Sequence, residues 1–504
     1  MKQTICILLS AIAISLGCSA KKQTSTFPDG TPISSWFADT TGVELKDMGK
    51  PYIITDYGVV NDSTIIQTQK IQEVIDRCHA NGGGVIVVPA GTYLTGSLFF
   101  KPGCNLYLEE NATLKGSDAI THYQIVKTRL EGQTLDYFAA LINADHHDGF
   151  TIAGKGTLNG NGHKFYDEFW LRRKVIKKCT NLEALRPRLV YISNSNDVKV
   201  SGIRMVNSGF WTNHLYKCKR VKYLNLYIYA PTSGYPKGPS TDAIDIDGCE
   251  DMLIRGCWVN VNDDGVCLKG GKGTFVDKDS TNAPCRNVIV ENCYFKKAGG
   301  GVTFGSECYD AKNVIIRDCQ FNGTSNILLF KMRPDTPQRY EDVLAENCTG
   351  IVTFGIRTRI WTQFYDKKDR DDMPHSVINN VKMKNIKVKS TKQFYTMIPS
   401  ENYDLGSFSF ENIDVTDPVG IMDTSVLGSS EEKNGTLFSK NVSAFTRRTR
   451  LRYMPIKQQS ANTTWINNNL AHISTHSTFH VKTSLSMSTH IIKYITVHPK
   501  MQLN

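Results

Sequence analysis

Short runs of alternating apolar and polar residues recur between about residues 195 and 416, and each is followed by a polar or glycine-containing pair and a second apolar run. The runs are NDVKVSGIRMVNS, KRVKYLNLYIYAP, EDMLIRGCWVN, RNVIVENCYFK, KNVIIRDCQFN, EDVLAENCTGI, NNVKMKNIKVK and GSFSFENIDVT. Equivalent points at Ile203, Tyr227, Trp258, Tyr294, Gln320 and Thr349 are separated by 24, 31, 36, 26 and 29 residues. Strands at this variable period predict an all-β fold, a right-handed parallel β-helix whose coils stack about 4.8 Å apart.

One segment before these repeats has helical periodicity. Its apolar face consists of Ile65, Ile66, Ile71, Val74 and Ile75. The pattern ends at the glycine run 82–84, and strand-like runs follow. We expect a short N-terminal helix that caps the first coil, whose edge would otherwise present unpaired backbone groups.

Residues 163–185 interrupt the strand rhythm and are long, charged and aromatic. Inserted loops commonly form the walls of binding sites on such scaffolds. We therefore expect a loop here, with Trp170 either stacking on a sugar or packing against the body of the protein.

Four cysteines occupy the same point of successive repeats, namely Cys257, Cys293, Cys319 and Cys348. Stacked coils would align them as a ladder inside the fold, and their spacing is far too long for a zinc site. Asn292 and Asn347 precede two of them and are expected at the bends. Of the 14 cysteines, most are therefore expected to be reduced and buried.

The first 20 residues have the pattern of an export signal, with Lys2 followed by an apolar run from Ile5 to Leu16 and then small residues. Cys18 resembles the acylated cysteine of a bacterial lipoprotein; the alternative is cleavage near Ala20. Both predict an exported protein, either periplasmic or at the cell surface as a lipoprotein, or otherwise secreted. In the first case the membrane contact is a lipid anchor at Cys18.

The net charge of +11 is concentrated at the end of the chain. Residues 433–504 carry ten Lys or Arg and no Asp or Glu, whereas residues 1–432 carry 49 basic and 48 acidic side chains. The main body therefore lacks the basic excess expected of a nucleic-acid-binding protein. We expect a signal peptide at 1–20, a linker at 21–51, a catalytic β-helix at 52–432 and a poorly ordered basic tail at 433–504.

Six aspartates lie in the segment PSTDAIDIDGCEDMLIRGCWVNVNDDGVCLKGG, and five of them are candidates for chemistry, namely Asp242, Asp245, Asp247, Asp263 and Asp264. Asp242 and Asp263 are 21 residues apart, about one coil, so that stacked strands would bring them together. Carboxylates so close raise one another's pKa and retain a proton, which suits an acid and base pair in glycoside hydrolysis. The alternatives are strand-end aspartates or calcium ligands. Asp242, Asp263 and Asp264 favour catalysis, Asp247 favours a structural role, and Asp245 is open.

The ordered motifs resemble family 28 of the glycoside hydrolases, the polygalacturonases, over about residues 52–430. Ser240-Thr241-Asp242 resembles the first aspartate motif and Asn262-Asp263-Asp264 the second, and GTLNGNG, RPRLV and NSGFWTNHLYKC also look like family sequence. The resemblance implies Asp263 as the general acid, with Asp242 and Asp264 activating water. It implies inversion of configuration and no metal or other cofactor.

Two departures from the family pattern bear on the substrate. The family histidine falls at Gly299 or Gly300, and Glu307 is a candidate to replace its influence on the general acid; the alternative for Glu307 is an exposed position at the edge of a coil. The family Arg-x-Lys falls at Leu329-Phe330-Lys331, so the lysine is kept and the arginine is lost. An apolar residue would suit a neutral deoxy sugar, as in rhamnogalacturonan hydrolases. Alternatively, one of four arginines supplies the charge, namely Arg333, Arg339, Arg357 or Arg359.

We therefore expect a monomeric hydrolase of pectic polysaccharides or oligosaccharides, with Lys331, Glu307 and Asp245 as substrate-binding residues. His214 is expected to be a buried, hydrogen-bonded histidine, and Trp361 either stacks on sugar or packs in the core. The competing functions are a rhamnogalacturonan hydrolase of the same family, a calcium-dependent pectate lyase and a non-catalytic carbohydrate-binding solenoid.

Overall fold

The computed structural model describes residues 25–363, 365, 367–397 and 403–416, and the backbone of 422–423 and 437–443. Thirty-one of the described strands pair in parallel, and the remaining two form an antiparallel hairpin. The expected all-β, right-handed parallel β-helix is confirmed. The expected signal peptide, with Cys18, and most of the expected basic tail lie outside the described residues.

Three parallel sheets, here called A, B and C, are visited in that order by each coil. Sheet A contains Pro51–Ile53, Gly84–Val88, Cys104–Leu108, Thr151–Gly154, Lys199–Ser201, Lys219–Leu224, Glu250–Arg255, Cys285–Glu291, Asp310–Arg317, Arg339–Glu346, Tyr403–Leu405 and Leu437–Ser443. Sheet B contains Gly91–Thr95, Ala112–Gly116, Thr157–Asn159, Arg204–Val206, Tyr227–Tyr229, Trp258–Asn260 and Tyr294–Lys297. Sheet C contains Leu98–Phe100, Ile142–Asp145, Val190–Ser193, Asn213–Tyr216, Ile244–Asp247, Val266–Lys269, Val302–Phe304 and Met422–Asp423.

Four longer strands bend from one sheet into the next. Gln320–Met332 and Thr349–Ile360 run from sheet B into sheet C, Ser376–Thr396 runs through all three sheets, and Phe408–Thr416 runs from sheet A into sheet B. Alternate side chains of each strand point into the central core, which is continuous along the coils.

The register between coils follows the repeat seen in the sequence. Tyr227, Trp258, Tyr294, Gln320 and Thr349 are direct partners on successive strands of sheet B. The first equivalent point was wrong by one position, because Arg204 rather than Ile203 pairs with Tyr227.

A single residue with positive φ makes the turn between sheets A and B in coil after coil. These residues are Gly202, Asn225, Gly256, Asn292, Asp318, Asn347, Asn385 and Asn412. Glycine, asparagine and aspartate are the types that tolerate this left-handed conformation. The residue after the turn points into the core, and the expected thiol ladder is confirmed there: Cys257, Cys293, Cys319 and Cys348 are buried and unbridged.

The N-terminal helix α1 spans Thr68–Ala80 and packs against the first coils through Ile71, Val74 and Ile75. Ile65 and Ile66 precede the helix and are exposed, so their assignment to its apolar face was wrong. Short 3-10 helices lie at Ser35–Ala38, Leu45–Asp47, Ile54–Tyr57, Ile120–His122 and Val276–Lys278. Within the described part of the chain, no helix has the length and apolarity needed to cross a membrane.

Described structure is present on both sides of the expected β-helix at 52–432. Within the expected linker, Phe27 and Phe37 are buried against the outer face of sheet A, in one cluster with Leu224 and Leu253. At the other end, Leu437–Ser443 continues the parallel pairing beyond residue 432. Packing therefore begins before residue 52, and parallel backbone pairing continues after residue 432.

Two insertions flank the strands of sheet C. Helix α2 spans His163–Val175, so the first part of the expected loop at 163–185 is helical. Trp170 packs edge-on against Phe169 and donates a hydrogen bond to the Lys237 carbonyl, which fits the packing alternative. The second insertion is an antiparallel hairpin of Ile125–Leu130 and Gln133–Phe138, which the sequence did not reveal.

Candidate active site

The three candidate catalytic aspartates lie at the entrance to two neighbouring strands of sheet C. Asp242 precedes the strand Ile244–Asp247, and Asp263 and Asp264 precede Val266–Lys269. The amide of Ala243 donates to the Asp264 carbonyl at 2.9 Å. The parallel pairing of the two strands therefore extends to the residues that precede them. Asp264 is therefore the direct neighbour of Asp242 across the strands, where the sequence suggested Asp263.

The carboxyl oxygens of Asp242 and Asp264 and the thiol of Cys267 lie within 4.8 Å of one another. Such a group has the spacing of metal ligands. The ammonium of Lys331, however, lies 2.6 Å from the Asp264 carboxylate and already provides a cation there. Asp242 and Asp264 are buried, whereas Asp263 is partly exposed and accessible to a substrate.

Burial and mutual repulsion favour retained protons in this cluster. Burial, followed by the charges of Asp263 and Asp245, raises the pKa of Asp242 well above its usual value. Burial and the charge of Asp264 also raise the pKa of Asp263. A carboxyl group that keeps its proton at higher pH is what a general acid needs.

Asp264 is held by two donors on later coils. The Thr303 hydroxyl donates to its Oδ1 at 2.8 Å and the Lys331 ammonium to its Oδ2 at 2.6 Å. Burial opposes the charge of Lys331, but Asp264 and Asp263 hold the pKa of its ammonium above the usual value. The three side chains thus form a charge-assisted network in the interior of the site.

Thr303 also occupies the space that a side chain at position 300 would need. A Cβ on Gly300 would lie 2.1 Å from the Thr303 Oγ1, and one on Gly299 would lie 3.2 Å from the Asp264 Oδ1. The two glycines thus leave room for a threonine hydroxyl beside the aspartate. Sequence reasoning missed Thr303, and the only signal was the glycine pair at the expected histidine position.

Lys269 lies between two carboxylates deeper in the site. Its ammonium is 3.2 Å from Glu307 and 3.4 Å from Asp245. Although Glu307 is largely buried, Lys269 and Lys272 hold its pKa far below the usual range, and the Ser306 hydroxyl also donates to it. Burial raises the pKa of Asp245 to about 8. Lys272 adds to the positive charge beside Glu307, so Glu307 is the ionised acid of the two and Asp245 is the one that retains its proton.

These positions correct two expectations. Asp245, expected to bind substrate, is fully buried with Lys269 against it, so a direct sugar contact is closed to it in this structure. Glu307 is not an exposed coil-edge residue, because its side chain is only 13% exposed and lies in this charge network. Lys269 lowers the pKa of both Glu307 and Asp263, so it connects Glu307 to the general acid.

Asp247 and His214 belong to a buried structural network. Asp247 accepts from Arg129 at 3.2 Å and from His214 at 3.3 Å, and Arg188 lies 2.7 Å from the other ring nitrogen of His214. Burial opposes the charge of Asp247, but Arg129 and His214 lower its pKa. Burial lowers the pKa of His214 to about 4. The expected buried, hydrogen-bonded histidine is confirmed.

The hairpin covers this part of sheet C. Leu130 and Tyr137 pack on Phe210 and Trp211, and Arg129 at the end of its first strand reaches Asp247. At its tip, Glu131 is buried, and its pKa is raised by burial and by Glu307. The adjoining Gly132 lies against Glu307 and Lys272. The hairpin therefore covers the charge network and adds the buried Glu131 to it.

The side chains of sheet C that point away from the core form its outward row. On the coil after Lys331, this row is basic. Leu329 pairs with Arg357 on the next coil, and Lys331 pairs with Arg359. Trp361 lies beside this row, with the Lys331 ammonium 4.8 Å and the Arg359 guanidinium 4.9 Å from its ring centre. Trp361 is partly exposed, which argues against the core-packing alternative.

Comparison with known proteins gives one family and one fold. The family model described as glycosyl hydrolases family 28 matches residues 78–432. An exopolygalacturonase of Zea mays is 25% identical over 297 residues, which are 57% of this chain and 63% of that protein. Exopolygalacturonase B of Aspergillus niger is 27% identical over 321 residues, which are 62% of this chain and 60% of that protein. The chain thus spans less than two thirds of the length of these curated relatives.

The crystal structure of a hyperthermoactive exopolygalacturonase from Thermotoga maritima has a TM-score of 0.62 and 21% identity, and the match covers 81% of this chain and 94% of that chain. The polygalacturonase of Erwinia carotovora has a TM-score of 0.59 and 20% identity, with 78% of this chain and 95% of that chain covered. At these identities the likeness shows the fold.

Proposed function

Because the chain belongs to family 28 of the glycosyl hydrolases, we propose that it hydrolyses galacturonosyl linkages of pectic polysaccharides. The observation that carries the proposal is the aspartate trio on two adjacent coils. Asp263 is partly exposed and has a raised pKa, while Asp264 accepts hydrogen bonds from two donors. This separates a proton-holding acid from a charged partner, as acid and base hydrolysis requires.

The proposed mechanism is a single displacement with inversion. Asp263 donates its proton to the glycosidic oxygen of the leaving sugar. Asp242 and Asp264, whose carboxyl oxygens lie within 4.8 Å of each other, hold a water molecule, and the Asp264 carboxylate accepts its proton as the water attacks the anomeric carbon. Thr303 and Lys331 keep the Asp264 carboxylate oriented toward that water. We propose this role for Lys331 in addition to substrate binding. We also propose that Glu307 and Asp245 influence the catalytic aspartates through Lys269.

Reducing-sugar release from a panel of pectic polymers tests this proposal. Wild-type protein should release reducing ends, and Asp263→Asn should lower kcat by about 10²–10⁴-fold, the usual contribution of a general acid or base. Asp118→Asn is a matched control, since Asp118 is exposed and far in sequence from the cluster. Ultraviolet-absorbing unsaturated products that disappear with a chelator would instead identify a lyase. Sugar binding without turnover, unchanged in Asp263→Asn, would identify a binding protein.

A second candidate is hydrolysis between galacturonate and rhamnose, and Leu329 is the observation that favours it. Leu329 stands where the family arginine is expected and is 6% exposed, so this position offers an apolar contact. The 6-deoxy group of rhamnose would fit it better than a carboxylate would. Product analysis on homogalacturonan and on rhamnogalacturonan backbone decides between the two. Release of galacturonate oligomers from homogalacturonan alone would exclude the second candidate.

We also propose that the protein is exported and acts outside the cytoplasm as a monomer. The apolar run from Ile5 to Leu16 after Lys2 supports export, and Cys18 supports lipid attachment. Incorporation of labelled fatty acid into wild-type protein, but not into Cys18→Ser, would establish the anchor. A soluble, unlabelled product cleaved near Ala20 would establish simple secretion instead.

A further inference from the structure

Two arginines lie in the outward row of sheet C on the coil that follows Leu329. Arg357 is the register partner of Leu329, and Arg359 is the partner of Lys331. Adjacent parallel strands lie about 4.8 Å apart, so both guanidinium groups lie one coil beyond the Leu329–Lys331 position. Arg359 is exposed and Arg357 is partly exposed, so both are accessible from the same side.

Neither arginine has an acidic partner among the residues that the structure describes. The Arg357 guanidinium lies 4.3 Å from the ring centre of Phe354, and its Nε is buried without a hydrogen-bond partner. Burial and the charge of Arg359 lower the pKa of Arg357. Two neighbouring cations, one of them partly desolvated, destabilise the folded protein unless an anion joins them.

The other cations of this region are already paired. Lys331 binds Asp264 at 2.6 Å, Arg333 binds Asp335 at 2.6 Å within the interior, and Arg339 binds Glu341 at 2.6 Å. Of the four arginines that could supply the charge missing at position 329, Arg333 and Arg339 are therefore engaged elsewhere. Of these four arginines, Arg357 and Arg359 are therefore the ones that can bind an incoming anion.

We propose that Arg357 and Arg359 bind a uronate carboxylate of the polysaccharide on the leaving-group side, one coil beyond Leu329. The assignment to the leaving-group side rests on the proposed function. One coil is close to the length of one sugar residue, so Leu329 contacts an uncharged part of the first leaving-group sugar and the arginine pair binds the carboxylate of the second. Guanidinium groups suit this role because they form paired hydrogen bonds with carboxylates.

Binding of galacturonate oligomers to non-hydrolysing Asp263→Asn protein tests the subsite without turnover. In this background, Arg357→Gln should raise Kd about tenfold for the hexamer, because a hydrogen bond to a charged group is lost. The double change Arg357→Gln with Arg359→Gln should raise it further and reduce the dependence of Kd on salt. Methyl-esterified hexamer should bind equally to all of these proteins. Arg339→Gln is the matched control, since this arginine is exposed but paired.

Thermal unfolding provides a second readout that separates binding from folding. Arg357→Gln should keep or raise Tm, because it removes a partly buried cation repelled by Arg359. A merely structural arginine would lower Tm when replaced. A hexamer Kd that is unchanged in the double variant, or a Tm that falls together with affinity for the methyl ester, would overturn the subsite.

The two proposals fail in different ways. If wild-type protein releases no reducing ends from any pectic polymer, hydrolysis is wrong, while tighter binding of charged than of esterified hexamer through Arg357 and Arg359 still supports the subsite. If wild-type protein hydrolyses pectin and the double variant has wild-type KM and Kd, the hydrolase proposal stands and the subsite is wrong.

Discussion

At the scale of single residues, Thr303 occupies the space beside the glycine pair at which the family resemblance led us to expect a histidine. Its hydroxyl donates to Asp264 at 2.8 Å and fills the space next to Gly300. Threonine does not titrate in the physiological range, so it orients the carboxylate but does not carry a proton between groups. The proton balance of the site then depends on the aspartates themselves and on Lys331.

Replacing Thr303 by valine keeps its shape and removes the donor. We expect Thr303→Val to lower kcat/KM by about tenfold or more, since hydrogen bonds to charged groups contribute about 1.5–3 kcal/mol. The acidic limb of the pH–rate profile should move to higher pH, because a cluster with one donor fewer retains its protons more readily. Thr303→Ser, which restores the hydroxyl, should recover most of the activity. A valine variant with an unchanged pH profile would contradict this positioning role.

Asp245 makes the stability of the protein depend on pH. Its folded pKa is raised from 3.8 to about 8. A raised folded pKa means that the contribution to stability is full below the unfolded pKa and is lost as pH rises through the folded pKa. Tm should therefore fall between pH 4 and pH 8, and Asp245→Asn should flatten that part of the curve. Calorimetry at several pH values measures this, and Asp118→Asn should keep the wild-type slope.

The aspartate trio was predictable from sequence, whereas the network around it was not. Asp242 and the Asp263–Asp264 pair lie one coil apart, so a local period brings them together. Arg129 meets Asp247 across 118 residues of chain, and the hairpin that carries it has no repeat pattern. Contacts made by an insertion depend on how it folds back, which the period of the coils does not encode.

At the scale of elements, the turn between sheets A and B shows why the coil pattern was readable. Each coil needs one residue with positive φ there, and only a few residue types accept it at low cost. That restricts the sequence to glycine, asparagine or aspartate just before the inward thiol or aliphatic residue. By contrast, helix α2 has no pronounced apolar face, and its buried side chains are the three aromatic residues Phe165, Tyr166 and Phe169.

Asn292 offers a direct test of that turn. It is exposed and has a φ of 52°. Asn292→Val should destabilise the protein by about 1–2 kcal/mol, because a β-branched residue is strained in the left-handed region. Asn292→Gly is the matched variant and should unfold close to wild type. Urea titration measures both, and equal stability of the valine and glycine variants would show that the turn tolerates another conformation.

The N-terminal segment around Phe37 and Asp39 lies across the outer face of sheet A and is called the strap here. Phe37 is 5% exposed and belongs to the same buried cluster as Leu253, and Asp39 pairs with Lys222 at 2.9 Å. Phe37→Ala should cost about 3 kcal/mol of unfolding free energy, at the lower end for a buried aromatic. Phe275→Ala provides the control, since that ring is 42% exposed. If urea unfolding gave equal losses for both, the strap would contribute little to the fold.

At the scale of the whole molecule, sheet C is covered from the coil of His214, across the aspartates, to the coil of Thr303, and it is open beyond that coil. Its outward residues are buried on the coils of His214, Asp247 and Thr303, and exposure increases toward Arg359. The cover is the hairpin, packed on Phe210 and Trp211 of the coil that precedes Asp242. A polymer bound across the aspartates therefore has room on the side of the arginine pair and little on the other.

This asymmetry predicts that the polysaccharide is cut near the end that lies on the covered side of sheet C. With the leaving group on the side of Leu329, the non-reducing end lies under the hairpin, so the expected products are monomers or short oligomers released from that end. Galacturonate oligomers labelled at the reducing end should lose unlabelled sugars one or a few at a time, while polymer viscosity falls slowly relative to reducing ends formed. A rapid fall in viscosity with few reducing ends would show internal cleavage, and would mean that the hairpin moves aside to admit the polymer.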